Sequence, residues 1–102
     1  MYEIEVHNLD DALRKIQRTW DEQEEIYIKL DNVTLVHLKA PQFENYRKFL
    51  GKLALELEYR RSEFMRKLDM FGLDMVRNMV RPLENLNKII KKERNKLDSL
   101  MN

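Results

Sequence analysis

The chain has no cysteine, and its 102 residues include only two glycines, two prolines, two serines (Ser62, Ser99) and two threonines (Thr19, Thr34). The lack of cysteine excludes a disulfide framework, a thiolate nucleophile and a thiolate metal site. So few turn formers leave little of the chain for loop, and most of it is expected to be helical. Gly51 and Gly72 stand too far apart for a phosphate loop, which needs several glycines so that backbone N–H groups can approach the anion. No apolar run approaches the length of about 18 residues that spans a bilayer. The start, MYEIEVHNLDD, lacks the basic and then apolar run of a secretory signal. The expectation is a cytoplasmic protein without membrane attachment.

What the chain does contain is charge. Charged residues make up 36% and hydrophobic residues 43%, too apolar for a disordered chain and too polar for a membrane protein. The net charge of +1 conceals an asymmetry. Residues 1–40 hold nine acidic and five basic side chains, a balance of −4, whereas residues 41–102 hold nine and fourteen, a balance of +5. Charge-driven self-association and binding of a polyanion are both open to such a chain.

The apolar period changes once along the sequence. In residues 2–7, Tyr2, Ile4 and Val6 alternate with Glu3, Glu5 and His7, which predicts a half-buried strand. Asn8 or Asp10 can cap a helix carrying Leu9, Leu13, Ile16 and Trp20 on one face, running to about residue 21. The runs EIYIKL and VTLVHLK flank Asp31-Asn32 and predict a hairpin, with Leu30 opposite Val33, Ile28 opposite Leu35 and Ile26 opposite His37. The second run is apolar on both faces, as in a strand buried on both sides or paired with another chain.

From Pro41, suited to a first helical position, the period becomes helical. Phe43, Tyr46, Leu50, Leu53, Leu57, Phe64, Leu68 and Phe71 form a seam close to a heptad repeat, interrupted by Arg60. Gly72 is expected to end this helix and Asp74 to cap the next, which presents Val76, Val80, Leu83, Leu86, Ile90, Leu97 and Met101 on one face, interrupted by Arg94. Pro82 either kinks that helix or starts another. A helix from 41 to 70 would be roughly 45 Å long. The radius of gyration of a compact chain of this size is only about 13 Å. The seam is therefore expected to need cover, from its neighbouring helix and from a second chain.

Candidate chemistry is sparse. Neither Ser62 nor Ser99 has a histidine nearby in sequence, so no catalytic residue is assigned. His7 and His37, with Glu3 or Glu5, would supply too few ligands for a typical metal site unless their strands were neighbours. Asp21, Glu22, Glu24 and Glu25 lack the spacing and glycine of a calcium loop. No metal or cofactor is assigned. Two binding surfaces are. Phe64, Met65, Phe71, Met75 and Met79 gather around Gly72 and would make a docking patch at the tip of a helical hairpin, or else fill the core there. Lys48, Lys52, Tyr59 and Arg66 on the first long helix, with Lys88, Lys91, Lys92 and Lys96 on the last, are candidates for contacting nucleic acid. A solvated helix face is the competing reading, supported by the acid-first pairs Glu44–Lys48, Glu56–Arg60, Glu63–Lys67 and Glu84–Lys88.

The sequence thus predicts a single α+β domain, 1–102. A three-stranded β-α-β-β unit (1–40) precedes a long antiparallel helical hairpin (41–102), with breaks at 72–74 and 81–82. The function expected is a non-enzymatic protein-interaction module: an adaptor, assembly factor or inhibitor. It would act through its seam and its Met/Phe tip, as a homodimer, on a protein partner that the sequence does not identify. Nucleic-acid binding through the basic faces is the alternative.

Overall fold

The computed structural model describes residues 2–39 and 43–101, apart from the Met101 side chain; Pro41 therefore lies outside the described residues. Strand β1 (Tyr2–Glu5) leads through α1 (Leu9–Thr19) to β2 (Glu25–Leu30) and β3 (Val33–Lys39). Three helices follow: α2 (Tyr46–Arg66), the one-turn α3 (Leu68–Phe71) and α4 (Leu73–Met101). The sheet order is β1-β2-β3, with β1 parallel and β3 antiparallel to the central β2. The fold is α+β, as the change of apolar period indicates.

Asn8 caps α1 by accepting from the Asp11 N–H, and Asp10 and Asp11 sit in the first turn, where the helix dipole favours them. Asp31 and Asn32 turn the hairpin with φ of 48° and 69°; positive φ at both central residues matches the twist of the two strands. The register departs from simple alternation. Leu30 faces Val33, but Ile28 faces Val36 and Ile26 faces Leu38, because Leu35 is an extra residue in a β-bulge. The bulge turns Leu35, Val36 and Leu38 all to the interior. That accounts for a strand that reads as apolar on both faces, and no second layer or chain is needed to cover it. The opposite face carries Glu3, Tyr27, Lys29 and His37, with Tyr27 stacked on His37 at 4.2 Å and Lys29 paired to Glu3 at 3.3 Å.

α2 begins at Tyr46, later than the Pro41 start expected from sequence, because Asn45 accepts from the Lys48 N–H and fixes the first turn there. Phe43 lies before the helix and packs edge-on against Phe49 at 5.4 Å. The helix stops at Arg66 rather than near residue 70, and the chain bends again at Gly72. Gly72 has φ 81° and ψ 160°, a conformation essentially reserved for glycine. Its N–H donates to Leu68 O and its carbonyl accepts from the Val76 N–H, so it joins α3 to α4 directly. Asp74 lies in the first turn of α4 instead of capping it. Pro82 starts no new helix; it lies within α4.

α4 packs against α2 and also against α1, while α2 packs on β3 and α1 on β1. One continuous core results, joining Ile4, Ile16, Ile26 and Ile28 to Phe49, Leu50, Leu53, Leu57, Leu83, Leu86 and Ile90. The middle of the seam is thus covered within one chain, where Leu50, Leu53 and Leu57 have no exposed surface. The longest dimension, 44 Å, is about the length of the 29-residue α4 at ~1.5 Å per residue.

Candidate interaction surfaces

The first surface is the elbow between α2 and α4. Two chain breaks, at Lys67 and at Gly72, splay one short helical turn away from the core. Met65, Met70, Phe71, Leu73 and Met75 are between 42% and 78% exposed there, within eleven consecutive residues (75 − 65 + 1). Leu68 and Met79 are half-buried beneath them. Phe64 is different: it lies in the core, 8% exposed, with the Arg60 guanidinium 4.8 Å above its ring. It is a support for the tip and not part of its surface, because the helical period returns it to the buried face of α2. Phe71, read from spacing as the last seam residue, is on the outside because the break at Lys67 resets that period. Leu73 was not singled out in the sequence, although its place beside Gly72 is the signal that marks it. The rim is mixed in charge, with Arg66, Lys67 and Arg77 exposed beside Asp69 and Asp74.

The basic residues of α2 and α4 have unlike surroundings. Lys48 is paired to Glu44 at 2.6 Å and Lys52 to Glu56 at 2.9 Å. Tyr59 is exposed but borders a hollow shared with Glu56 and Glu63. Arg66 lies on the same side at the far end of α2, and with both lysines paired to acids the four α2 candidates do not form an unopposed line of charge. On α4 three of the four acids, all but the exposed Asp74 of the first turn, are drawn away from the solvent side. Glu84 accepts from Arg61 Nε at 2.8 Å, Glu93 accepts from Gln17 Nε2 at 3.0 Å, and Asp98 is hydrogen-bonded to Arg47. That guanidinium holds the Asp98 carboxyl below its ordinary pKa. Arg60 likewise lowers that of Glu63.

Three of the four pairs expected from spacing are replaced, two by other partners within α2 and one by a partner on another helix. Glu56 takes Lys52, Glu63 takes Arg60 and Glu84 takes Arg61, leaving Glu44–Lys48. Lys88, Lys92 and Lys96 are exposed and have no ion-pair partner among the described residues. Lys91 is exposed too, beside the α2–α4 groove that also holds Glu58 and Glu84. Ile89, next to the fully buried Ile90, is only half-buried.

The two histidines are not neighbours. His37 stacks on Tyr27 with Glu25 at 3.6 Å, whereas His7 Nε2 lies 2.6 Å from Asp31 Oδ1 and 3.5 Å from Glu5 Oε1. Glu5, His7 and Asp31 therefore form an exposed cluster whose ligand atoms all lie within 4.8 Å of one another. The Asp31 hydrogen bond raises the His7 pKa above its ordinary 6.5. Sequence reasoning missed Asp31 as the partner because the tight turn brings it across from the end of β1.

Among the described residues no helix is long and apolar enough to cross a membrane. No family model matches the chain, and no characterised protein or solved structure is similar to it.

Proposed function

We propose that the protein is a non-enzymatic interaction module that docks a partner through the α2–α4 elbow. The observation that carries this reading is the run Met65–Met75, where five large apolar side chains face solvent beside a core that is complete without them. Methionine and phenylalanine are adaptable, polarizable contact residues, and an exposed contiguous apolar patch on a small domain is characteristic of an interface. The rim of Arg66, Lys67 and Arg77 with Asp69 and Asp74 favours a partner whose apolar groove is bordered by side chains of both signs. With the middle of the seam enclosed by α4, homodimerisation would also use this elbow.

Phe71→Glu together with Met75→Glu tests the reading. The variant should keep the melting temperature within a few degrees, since surface substitutions usually change stability by about 0.5 kcal/mol or less. If the partner is a second copy, light scattering on the native chain gives about twice 12.5 kDa and on the variant a single chain. If the partner is foreign, both are monomers. A photo-crosslinker at Phe71, but not one at Tyr59, then captures it, and the purified partner binds the native chain and not the variant. Unfolding of the variant would place the elbow in the core. Undiminished binding of the purified partner by the variant would refute the site.

A further inference from the structure

A second surface, which meets the elbow at Arg77, runs along α4. The apolar side of this helix is spent on the core through Val76, Val80, Leu83, Leu86 and Ile90. Its opposite side carries Arg77, Arg81, Lys88, Lys92 and Lys96, all exposed, at separations of four, seven, four and four residues. These keep one azimuth on a helix of 3.6 residues per turn, drifting slowly around it. The span from Arg77 to Lys96 is about 28 Å at ~1.5 Å per residue. Asn78 and Asn95, also exposed, sit beside the cations as neutral hydrogen-bonding groups. Of the four acids of α4, Glu84, Glu93 and Asp98 are engaged by Arg61, Gln17 and Arg47 from the flanking helices, and the exposed Asp74 lies beyond the N-terminal end of the line. The fold therefore sorts its charge, and an unopposed line of cations emerges from a chain whose net charge is only +1.

We propose that this outer face of α4 binds double-stranded nucleic acid through its phosphates. A duplex advances about 3.4 Å per base pair, so the line of cations matches roughly eight base pairs. Lysine, arginine and asparagine are residue types that contact phosphate oxygens. A single strand is disfavoured because its proteins stack bases on aromatic rings, and residues 73–101 contain no aromatic residue. A bilayer is disfavoured because a surface helix inserts an apolar face, and that of α4 is buried. A protein partner is disfavoured because the line has no apolar centre around which an interface could form.

The test is fluorescence anisotropy on the full chain with labelled DNA and RNA duplexes of about 16 base pairs, twice the matched length. The component single strands, polyglutamate and phosphatidylserine vesicles serve as competitors. Five phosphate contacts give a slope of log K against log salt of about −4.5, a several-hundred-fold loss between about 50 and 200 mM. Lys88→Gln, Lys92→Gln and Lys96→Gln together should make that slope shallower by about 2.7 while the circular dichroism melt is retained. Lys48→Gln with Lys52→Gln, which removes charge from α2, should leave it unchanged. The proposal is overturned by any of four results: no duplex binding at low salt, an unchanged slope in the α4 variant, an equal loss per charge in the α2 variant, or tighter binding of any competitor than of duplex.

Discussion

The two glycines of this chain should respond to the same substitution with opposite sign. Gly51 lies inside α2, and a Cβ built there meets only the far end of Arg94, its Nη2 at 4.0 Å, an ordinary contact. Glycine in a helix interior is less favourable than alanine by about 0.5–1 kcal/mol, chiefly through the entropy of the unfolded chain. Gly51→Ala should therefore stabilise by that amount and raise the melting temperature by roughly 2–8 °C for a domain of this size. Gly72 has open space around it, yet its φ of 81° with ψ of 160° is a region that side-chain-bearing residues avoid. Gly72→Ala should cost about 1–3 kcal/mol although no atom is in its way. Urea titration separates these effects from changes in compactness: both midpoints should move, in opposite directions, at an unchanged m-value. A loss of stability in Gly51→Ala would refute the reasoning for α2, because it would mean that the Arg94 guanidinium needs the bare backbone. A neutral Gly72→Ala would show that the α3–α4 junction does not hold this conformation in solution.

Two further expectations follow from the core and from the turn. Leu53, fully enclosed between α2, α4 and the sheet, should cost about 2–5 kcal/mol when replaced by alanine, read as a lowered urea midpoint; a change below 1 kcal/mol on that scale would contradict its burial. His7 should titrate above 6.5 by NMR and return toward that value in Asp31→Asn, and no change on that substitution would refute the contact. Because the folded pKa is the higher one, the contribution of this pair is complete below the unfolded pKa and is lost as pH rises through the folded value.

Where periodicity and turn chemistry act locally, the sequence was readable. Alternation gave β1, the Asp31-Asn32 pair gave the hairpin turn, and Val76 to Ile90 gave the buried side of α4. The bulge at Leu35 was not readable, because one extra residue changes the pairing of every residue beyond it and only packing decides where it falls. Asn45 was a legible cap that the more conspicuous Pro41 obscured. The elbow could be anticipated from its Met and Phe content, but assigning Phe64 inward and Leu73 outward required the break at Lys67. The charge sorting on α4 was the least accessible feature. Spacing along one helix offers Lys88 to Glu84, whereas the fold supplies Arg61 from another helix, and a rule for neighbours on one helix carries no information about that choice.

Pro82 has a kinetic consequence. It stands inside a continuous helix, so the carbonyl of Asn78 has no helical N–H to accept from, and α4 can close around this point only when the Arg81–Pro82 bond is trans. In the unfolded chain about 10–30% of such bonds are cis, and they revert over tens of seconds or longer. Because α4 bridges α1 and α2, chains caught in the minor isomer can form the β2–β3 hairpin early yet must wait to seal the interior. The Arg81–Pro82 bond is thus expected to separate a slow minority of chains from a fast majority during assembly, a split that Pro82→Ala should reduce in refolding traces.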